Sequence, residues 1–341
     1  MKTEALYLTK NGSANVAFEK REHSLAELED DEIQIAVTAF GLNYADVMAR
    51  RGLYRECPPL PTVLGYEVVG EIVSVGNTKN DQLIGKKVVA FTRFGGYAKH
   101  INTKVEAAVP IGNLPEEKAL ALATQYVTAY YMSNVVTQVL PGEKVLIHAA
   151  AGGVGTALIQ LLKLKEAVLF AKTGNDEKID YLKELGVDHC INYNRDNYGE
   201  KLNTLLGEER LSISFNPVAG STFKTDLGLI GASGRLVLFG GSERSGKKWG
   251  ILSTLNFLRK MGLILPISLM MRSKSIIGVN MLKIADNHPE IVRFCLKEVV
   301  KLALDGKIDP KIGGEFNAEE IVKAHDFLES GNSTGKIVVK W

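Results

Sequence analysis

Residues 144–160, KVLIHAAAGGVGTALIQ, contain the feature that most constrains the fold, a glycine-rich turn between an apolar run and a helical pattern. The run 145–148 is typical of a buried strand, and an apolar helical face follows the turn. Small residues at such a turn let the backbone approach a pyrophosphate, whose charge the helix N-terminus stabilises. This context favours a dinucleotide site over a glycine loop used only for tight packing. The residues of the predicted turn are Ala150, Gly152, Gly153, Val154 and Gly155.

The composition is that of an ordinary globular chain of 341 residues, 45% hydrophobic and 23% charged, which is long enough for two domains. The net charge of +2 gives no reason to expect nucleic-acid binding. The first residues, MKTEALYLTKNG, lack the apolar core of a signal peptide and resemble a strand. Cys57, Cys190 and Cys295 are few and far apart, as in a reducing compartment, so we expect a cytoplasmic protein.

The pattern of secondary structure changes along the chain, from a β-rich part to alternating strands and helices. Alternation of the second kind predicts a parallel sheet covered on both faces, so the fold class is α/β. We place a β-rich catalytic domain at residues 1–124, completed by 283–341, and a cofactor domain at 125–282, with the active site between them. The predicted strands of the cofactor domain are 145–149, 167–171, 190–192, 212–215, 235–239 and 275–279.

Several strings together resemble the medium-chain dehydrogenase/reductase superfamily over essentially the whole chain. GLNYADVMARRGLY at 41–54 is similar to the quinone oxidoreductase (zeta-crystallin) signature, and STGKIVVK at 333–340 is similar to the C-terminal strand of that group. LATQYVTAYY at 122–131 and FNPVAG at 215–220 resemble the vesicle amine transport protein homologues most. The resemblance implies a GroES-like catalytic domain, a Rossmann cofactor domain and a homodimer in which strands 275–279 pair.

The zinc-dependent members of this superfamily use a cysteine and a histidine in the first domain and four cysteines in a structural lobe. Here Asn43 stands at the expected cysteine, and the expected Gly-His-Glu reads GYE at 65–67. Three scattered cysteines do not supply four tetrahedral thiolates. The sequence therefore predicts an enzyme without a metal, in which His100 and His148 are structural.

The second predicted strand indicates which nicotinamide cofactor is used. An NAD site usually has an acidic residue about 20 residues past the glycines, whereas this strand ends in FAKT at 170–173. Lys172 and Lys178 offer positive charge and Thr173 a hydroxyl to a 2′-phosphate, so we predict NADPH, although a single lysine is often only a solvated surface charge.

The resemblance implies further cofactor residues. It places Tyr193 near the adenosine phosphate, Lys336 near the cofactor, and Thr128 at the phosphates or nicotinamide. Phe239, at the end of the fifth predicted strand, is assigned to the same site. For Thr128 an alternative is a helix-interior threonine that bonds its own backbone.

Hydride transfer requires mainly that the nicotinamide is held against an acceptor with water excluded. We expect Asn43 and Tyr54 to face the acceptor and donate hydrogen bonds to its carbonyl oxygen. If a neighbour lowers its pKa, Tyr54 also delivers the proton. Asp46 is a catalytic candidate whose alternative is capping of the local helix. Tyr66 and Gln125 are predicted to shape the pocket.

Residues 247–274, KKWGILSTLNFLRKMGLILPISLMMRSK, do not fit a plain reductase. Their apolar core MGLILPISLMM has 11 residues, fewer than the roughly 20 needed to span a bilayer, and basic residues flank it. Three interpretations remain: a lid over the acceptor site, part of a dimer interface, or a peripheral membrane contact.

The favoured function is therefore a zinc-independent, NADPH-dependent quinone oxidoreductase. One alternative is an NADPH-binding adaptor at membranes or lipids, with weak catalysis. A second is a reductase of α,β-unsaturated aldehydes or ketones, which would share the same apparatus and differ in the shape of the pocket.

Overall fold

The computed structural model describes residues 1–244 and 250–341. The chain divides into two compact units. Met1–Thr128 together with Leu282–Trp341 form the first domain, and Ala129–Met281 form the second domain.

The first domain contains two sheets. The smaller has the strand order β2-β1-β4, and the larger has the order β15-β16-β3-β5-β6-β8, with β7 paired to β3. The strands are β1 (Lys2–Leu8), β2 (Phe18–Ser24), β3 (Glu32–Leu42), β4 (Thr62–Val63), β5 (Glu67–Val75), β6 (Lys87–Phe91), β7 (His100–Lys104), β8 (Ala108–Pro110), β15 (Ile312–Asn317) and β16 (Lys336–Lys340).

The long strand β3 shows why these segments form a sheet. Ile33, Ile35 and Val37 alternate with more exposed residues, so every second side chain enters the core. Antiparallel partners lie on both sides of β3, because β16 pairs with its C-terminal half. The C-terminal strand thereby completes the sheet of the N-terminal region.

The helices of the first domain are mostly short. The longest of them lie in the C-terminal part of the chain, after residue 282. Residues 116–136 form one helical stretch in which α-helical turns alternate with π-helical turns at Leu122–Tyr126 and Tyr131–Val136. The α-helices outside the second domain's sheet are α1 (Ala14–Ala17), α2 (Tyr44–Arg50), α3 (Glu116–Ala121), α4 (Val127–Tyr130), α11 (Met281–Asn287), α12 (Pro289–Leu304) and α13 (Ile321–Glu329).

The second domain is a six-stranded, fully parallel sheet with the order β11-β10-β9-β12-β13-β14. A helix lies between most pairs of consecutive strands, as the alternation in the sequence predicts. The elements are β9 (Lys144–Ile147), α5 (Gly153–Lys163), β10 (Val168–Thr173), α6 (Glu177–Glu184), β11 (His189–Asn192), α7 (Tyr198–Leu206), β12 (Leu211–Asn216), α8 (Phe223–Leu229), β13 (Ile230–Leu238), α9 (Gly250–Met261), α10 (Pro266–Met271) and β14 (Ser275–Gly278).

These observations confirm the α/β fold class with a GroES-like domain and a Rossmann domain. The strand bounds agree with the predictions to within two residues, except that β13 begins at Ile230, five residues before the predicted start at 235. Its first part pairs with Leu211 before a bulge, so an irregular region with two glycines still belongs to the ladder.

The segment after Gly246 is described only from residue 250 onward, and 247–249 lie outside the described residues. Met261 and Ile264 pack against the core of the second domain. Other apolar side chains of α9, α10 and the intervening turn face solvent, with Leu263 91% and Met271 79% exposed. In the described part of the chain, no helix is both long enough and apolar enough to span a membrane.

Candidate functional site

The glycine-rich turn has the geometry that a pyrophosphate requires. Ala149 adopts a left-handed backbone with φ 49°, and Gly152 is the N-cap of α5 without a side-chain cap. A Cβ at Gly155 would lie 2.5 Å from the carbonyl oxygen of Ala150, so only glycine lets α5 approach the turn this closely. The first N–H groups of α5, at Gly153 and Val154, are those that a helix leaves without an internal partner. The residues present therefore fit a bound dinucleotide.

Lys172, near the tip of β10, is not a solvated surface charge. Its side chain is 6% exposed, and Nζ lies 3.6 Å from the ring centroid of Tyr198 and 5.1 Å from that of Tyr193. Burial lowers the pKa of Lys172 to about 8. Among the described residues, the ammonium makes no hydrogen bond or ion pair. It is a buried cation whose three donors are available to an anion.

The neighbouring predicted residues lie around the same end of the sheet. Thr173 is buried, and its carbonyl oxygen accepts the backbone N–H of Tyr193, a ring that is half exposed. Lys178 lies in the first turn of α6, where burial lowers its pKa. Phe239 follows β13, and its N–H bonds the carbonyl oxygen of Asn216.

A buried carboxylate lies inside the second domain at Asp226. Its Oδ2 lies 2.8 Å from His148 Nε2 and accepts hydrogen bonds from Ser214 (2.7 Å) and Asn216 (2.6 Å), while Oδ1 accepts the Tyr198 hydroxyl at 3.0 Å. Burial raises the pKa of Asp226, but His148 and the donors outweigh it and hold the pKa below 3.8. This buried carboxylate is supplied by α8.

A second buried cluster lies in the first domain, around Glu67 and Lys336. Lys336 Nζ forms an ion pair with Glu67 Oε1 and also donates to Asn43 Oδ1 (3.0 Å) and the carbonyl oxygen of Leu42 (3.2 Å). Both charged side chains are fully buried. A Cβ at Gly41 would lie 2.4 Å from Glu67 Oε1, so glycine is needed there.

This arrangement changes what Asn43 and Lys336 have to offer. Three oxygen acceptors use the three protons of Lys336, which leaves no proton for a hydrogen bond to the cofactor. That Lys336 lies near the cofactor stays a prediction. Asn43 donates from Nδ2 to Glu67 at 2.8 Å, which leaves one amide proton for an acceptor. Asn43 and Lys336 therefore both make hydrogen bonds that connect separate segments of the first domain.

Asp46 has the capping geometry that was the alternative to catalysis. Asn43 is the N-cap of α2, and its backbone N–H donates to Asp46 Oδ2 at 2.7 Å. The side chain is fully buried, which raises its pKa to about 7 against the opposing effect of the Asn43 hydrogen bond and of Lys336. A catalytic role for Asp46 stays a prediction.

The tyrosines predicted for the acceptor side do meet. The rings of Tyr54 and Tyr66 lie edge to face, with centroids 6.3 Å apart. Burial raises the pKa of both hydroxyls. The condition under which Tyr54 would deliver a proton, a lowered pKa, is therefore not met: the phenol stays neutral and donates a hydrogen bond at most.

Gln125 and Thr128 lie on the helical stretch 116–136. Both are largely buried, and Gln125 belongs to the first π-helical turn. The Thr128 hydroxyl donates to the carbonyl oxygen of Thr124 at 2.5 Å, which is the backbone-bonded alternative. The cofactor role that the resemblance implies for Thr128 stays a prediction.

Within the described residues, no group of three or more His, Cys, Asp or Glu side chains is placed to hold a metal ion. His148 Nε2 lies 2.8 Å from Asp226 Oδ2. His100 Nδ1 lies 2.9 Å from the Thr3 hydroxyl.

Sequence reasoning missed Tyr198, Asp226 and the pairing of Glu67 with Lys336. One pattern in the sequence could have indicated Asp226: it lies three residues after Phe223 and three before Leu229, on the same face of α8 as these apolar residues. Glu67 opens an apolar strand run in the same way. Neither position says which partner neutralises the group, because the partners lie far away in the sequence.

Comparison with known proteins agrees with this architecture. Residues 29–129 match the Alcohol dehydrogenase GroES-like domain family, and residues 153–297 match the family described as Zinc-binding dehydrogenase. The "Synaptic vesicle membrane protein VAT-1 homolog" of Danio rerio is 29% identical over 340 residues, covering 98% of this chain and 69% of that protein.

Solved structures give the same result. The human synaptic vesicle membrane protein VAT-1 homolog-like protein is 25% identical, covers 100% of this chain and 98% of the other, and has a TM-score of 0.85. Escherichia coli quinone oxidoreductase complexed with NADPH is also 25% identical, with 99% and 100% coverage and a TM-score of 0.86. The chain therefore belongs to the medium-chain dehydrogenase/reductase superfamily, in the quinone oxidoreductase group near the VAT-1 homologues.

Proposed function

We propose that this protein is an NADPH-dependent oxidoreductase that transfers hydride to quinones or related conjugated carbonyls without a metal ion. The observation that carries the proposal is Lys172, a buried cation without an anionic partner among the described residues, near the tip of the strand that follows the glycine-rich turn. A 2′-phosphate supplies the missing charge, whereas a ribose hydroxyl does not. The likeness to a quinone oxidoreductase that binds NADPH supports the same assignment.

The turn from Ala150 to Gly155 would hold the pyrophosphate through backbone N–H groups and the N-terminus of α5. Lys172, Thr173, Lys178 and Tyr193 would surround the phosphorylated ribose. When bound, the nicotinamide supplies the hydride. The remaining work of the chain is to bind, to orient and to exclude water.

On the acceptor side we assign the tyrosine pair Tyr54 and Tyr66, together with Asn43 and Gln125. Because burial raises the pKa of Tyr54, its hydroxyl stays protonated at neutral pH and donates to a developing oxyanion. A quinone accepts hydride without a strong acid, which suits a site whose hydroxyl groups are hard to ionise. We also propose a homodimer through β14, which lies at the edge of the six-stranded sheet.

The proposal is tested by NADPH consumption of metal-free purified protein with a bulky ortho-quinone, with NADH in parallel. We expect oxidation that prefers NADPH and survives a chelator. Tyr54→Phe keeps the ring and should lower quinone turnover while leaving NADPH affinity unchanged. Tyr7→Phe, which removes a hydroxyl bonded to His23, is the matched control. Tight NADPH binding without turnover on quinones or enones would contradict the reductase.

A second candidate is a membrane-associated adaptor that binds NADPH, and the exposed apolar side chains of α9 and α10 favour it. Arg259 and Arg272 flank these side chains and suit anionic lipid. Flotation with vesicles of phosphatidylserine and phosphatidylcholine tests it. Leu263→Ser with Met271→Ser should abolish binding, whereas the same change at exposed Leu140 and Leu164 should not. The remaining alternative, a reductase of α,β-unsaturated aldehydes or ketones, is tested by using an enone as the acceptor in the reductase assay.

A further inference from the structure

The position of Lys172 depends on Tyr198. The ammonium lies 3.6 Å from the centroid of the Tyr198 ring, well inside the range of a favourable cation–π contact, and farther from Tyr193 at 5.1 Å. A lysine side chain has four rotatable bonds and needs something to fix it. Within the described residues no carboxylate or carbonyl oxygen does so, which leaves the two rings.

The Tyr198 ring is itself held in place through its hydroxyl group. It is the first residue of α7, and its hydroxyl donates to Asp226 Oδ1 at 3.0 Å and lies 3.2 Å from the carbonyl oxygen of Thr222. The edge of its ring also meets His148, with centroids 5.6 Å apart. The ring face toward Lys172 is therefore held at one angle.

Asp226 anchors this arrangement and also acts on its charge. The carboxylate is held by His148, Ser214 and Asn216, so it has a single orientation. Its negative charge raises the pKa of Lys172, against the larger lowering by burial. A fixed carboxylate behind the ring thus favours the charged form of the lysine in front of it. The titratable groups that face Lys172 are Tyr193 and Tyr198, with Asp226 and His148 behind Tyr198.

We propose that Tyr198 and Asp226 are positioning residues for Lys172, and that through it they set the preference for a 2′-phosphorylated dinucleotide over an unphosphorylated one. This inference rests on the cofactor assignment of the proposed function. Asp226 does not touch the cofactor: it orients the Tyr198 ring, and the ring orients the ammonium toward the phosphate.

The experiment compares dissociation constants for NADPH and NADH in the wild type, Tyr198→Leu, Tyr198→Phe and Asp226→Asn. Tyr198→Leu removes the ring and should lower the NADPH-to-NADH affinity ratio about tenfold. Tyr198→Phe keeps the ring but loses the hydroxyl that Asp226 holds, so it should lower the ratio by an intermediate factor of about threefold. Lys274→Met is the matched control, since that lysine donates to the carbonyl oxygen of Leu227 and should not affect the ratio.

The pH dependence gives a readout that a merely structural role would not move. Between pH 7 and 9.5, above the phosphate's own pKa of about 6, NADPH affinity should fall as Lys172 loses its proton near pH 8, and NADH affinity should stay flat. In Asp226→Asn the decline should begin at lower pH, because the charge that raises the pKa of Lys172 is gone. Titration of isotopically labelled lysine Nζ by NMR, without cofactor, should show the same displacement.

Equal losses of NADPH and NADH affinity in Tyr198→Leu, or an unchanged ratio, would overturn the inference. So would a Lys172 titration that Asp226→Asn leaves unmoved. If Tyr198→Leu does not fold, Asp226→Asn and the titration decide. A wild type that does not distinguish NADPH from NADH would instead remove the cofactor assignment, and the lysine titration would still judge the positioning.

Discussion

Each domain contains a buried lysine, and the two ammonium groups differ in what surrounds them. Lys336 in the first domain is fully buried and donates to a carboxylate, an amide oxygen and a backbone carbonyl oxygen. Lys172 in the second domain is 6% exposed and faces two aromatic rings, with no oxygen acceptor among the described residues. The ammonium of Lys336 is saturated with hydrogen bonds, and that of Lys172 is not.

The difference separates a structural charge from a binding charge. A buried ion whose hydrogen bonds are all used offers nothing to a ligand, and removing its partner leaves an uncompensated charge. A buried ion held only by ring faces has a lowered pKa and three donors that an incoming anion completes. The resemblance to the family places Lys336 near the cofactor, and the strand-end sequence predicts Lys172 there. Of the two, only Lys172 has hydrogen-bond donors left for an anion.

The largest effect is expected when the ion pair between Glu67 and Lys336 is broken. Glu67→Gln leaves the Lys336 ammonium without a counter-charge and should reduce the free energy of unfolding of the first domain by about 3–5 kcal/mol. Urea unfolding measures it, and Glu67→Gln combined with Lys336→Met should recover part of the loss. Glu4→Gln, at an exposed pair with Lys99, is the control and should leave unfolding unchanged. A loss below about 1 kcal/mol would show that Lys336 does not depend on Glu67.

Asp46 sharpens the comparison, because the saturated cluster contains a second carboxyl. Its folded-state pKa of about 7 lies above the ordinary 3.8, so the protonated form is favoured by folding. Stability should be full below about pH 4 and should fall, by about 4 kcal/mol, as the pH rises through 7. Asp46→Asn keeps an oxygen for the Asn43 N–H and should remove that decline. An unchanged pH profile of urea unfolding in the variant would contradict the raised pKa.

Lys172→Met tests the unsaturated lysine directly. Loss of a charge-assisted phosphate contact should lower the NADPH-to-NADH affinity ratio tenfold to about a hundredfold. The second domain should become no less stable, because a methionine between two rings has no charge to desolvate. Calorimetry of both cofactors and of thermal unfolding measures the two effects. A destabilised variant with an unchanged ratio would make Lys172 structural, like Lys336.

The smallest effect is expected at Thr128, where the same distinction applies to a hydroxyl. Since it already donates to the Thr124 carbonyl oxygen, Thr128→Val should change the NADPH dissociation constant less than about threefold. Thr156→Val, which removes another backbone-bonded helical hydroxyl, is the comparison variant. A tenfold higher NADPH dissociation constant for Thr128→Val, in a protein that stays stable, would instead support the cofactor contact that the family pattern implies.

Local sequence patterns predicted the elements well. The turn at 150–155 follows β9 and runs into the first residues of α5, and strand β14 begins at the predicted Ser275. The reason is that small residues, apolar runs and periodicity act over a few positions. The early start of β13 escaped prediction, because it depends on pairing with Leu211 rather than on its own residues.

The side-chain clusters were less accessible to sequence reasoning. Lys336 and Glu67 are 269 residues apart, and His148, directly after β9, reaches Asp226 on α8. A sequence shows that a buried charge needs a partner, but not which of several carboxylates the fold brings to it. For that reason the sequence left open whether Lys172 is a solvated surface charge, and it gave no sign that Glu67 pairs with Lys336.

The π-helical turn Leu122–Tyr126 has a consequence for how the chain tolerates insertion and deletion. In an uninterrupted α-helix the N–H of Thr124 would bond residue 120, whereas here it donates to Glu67 Oε2 at 2.5 Å. A π-turn is one residue longer than an α-turn. Deleting a single residue there would straighten the helix, rotate every later side chain by about 100° and withdraw the amide from the carboxylate. Evolution can therefore change residue types along this helix far more freely than its length.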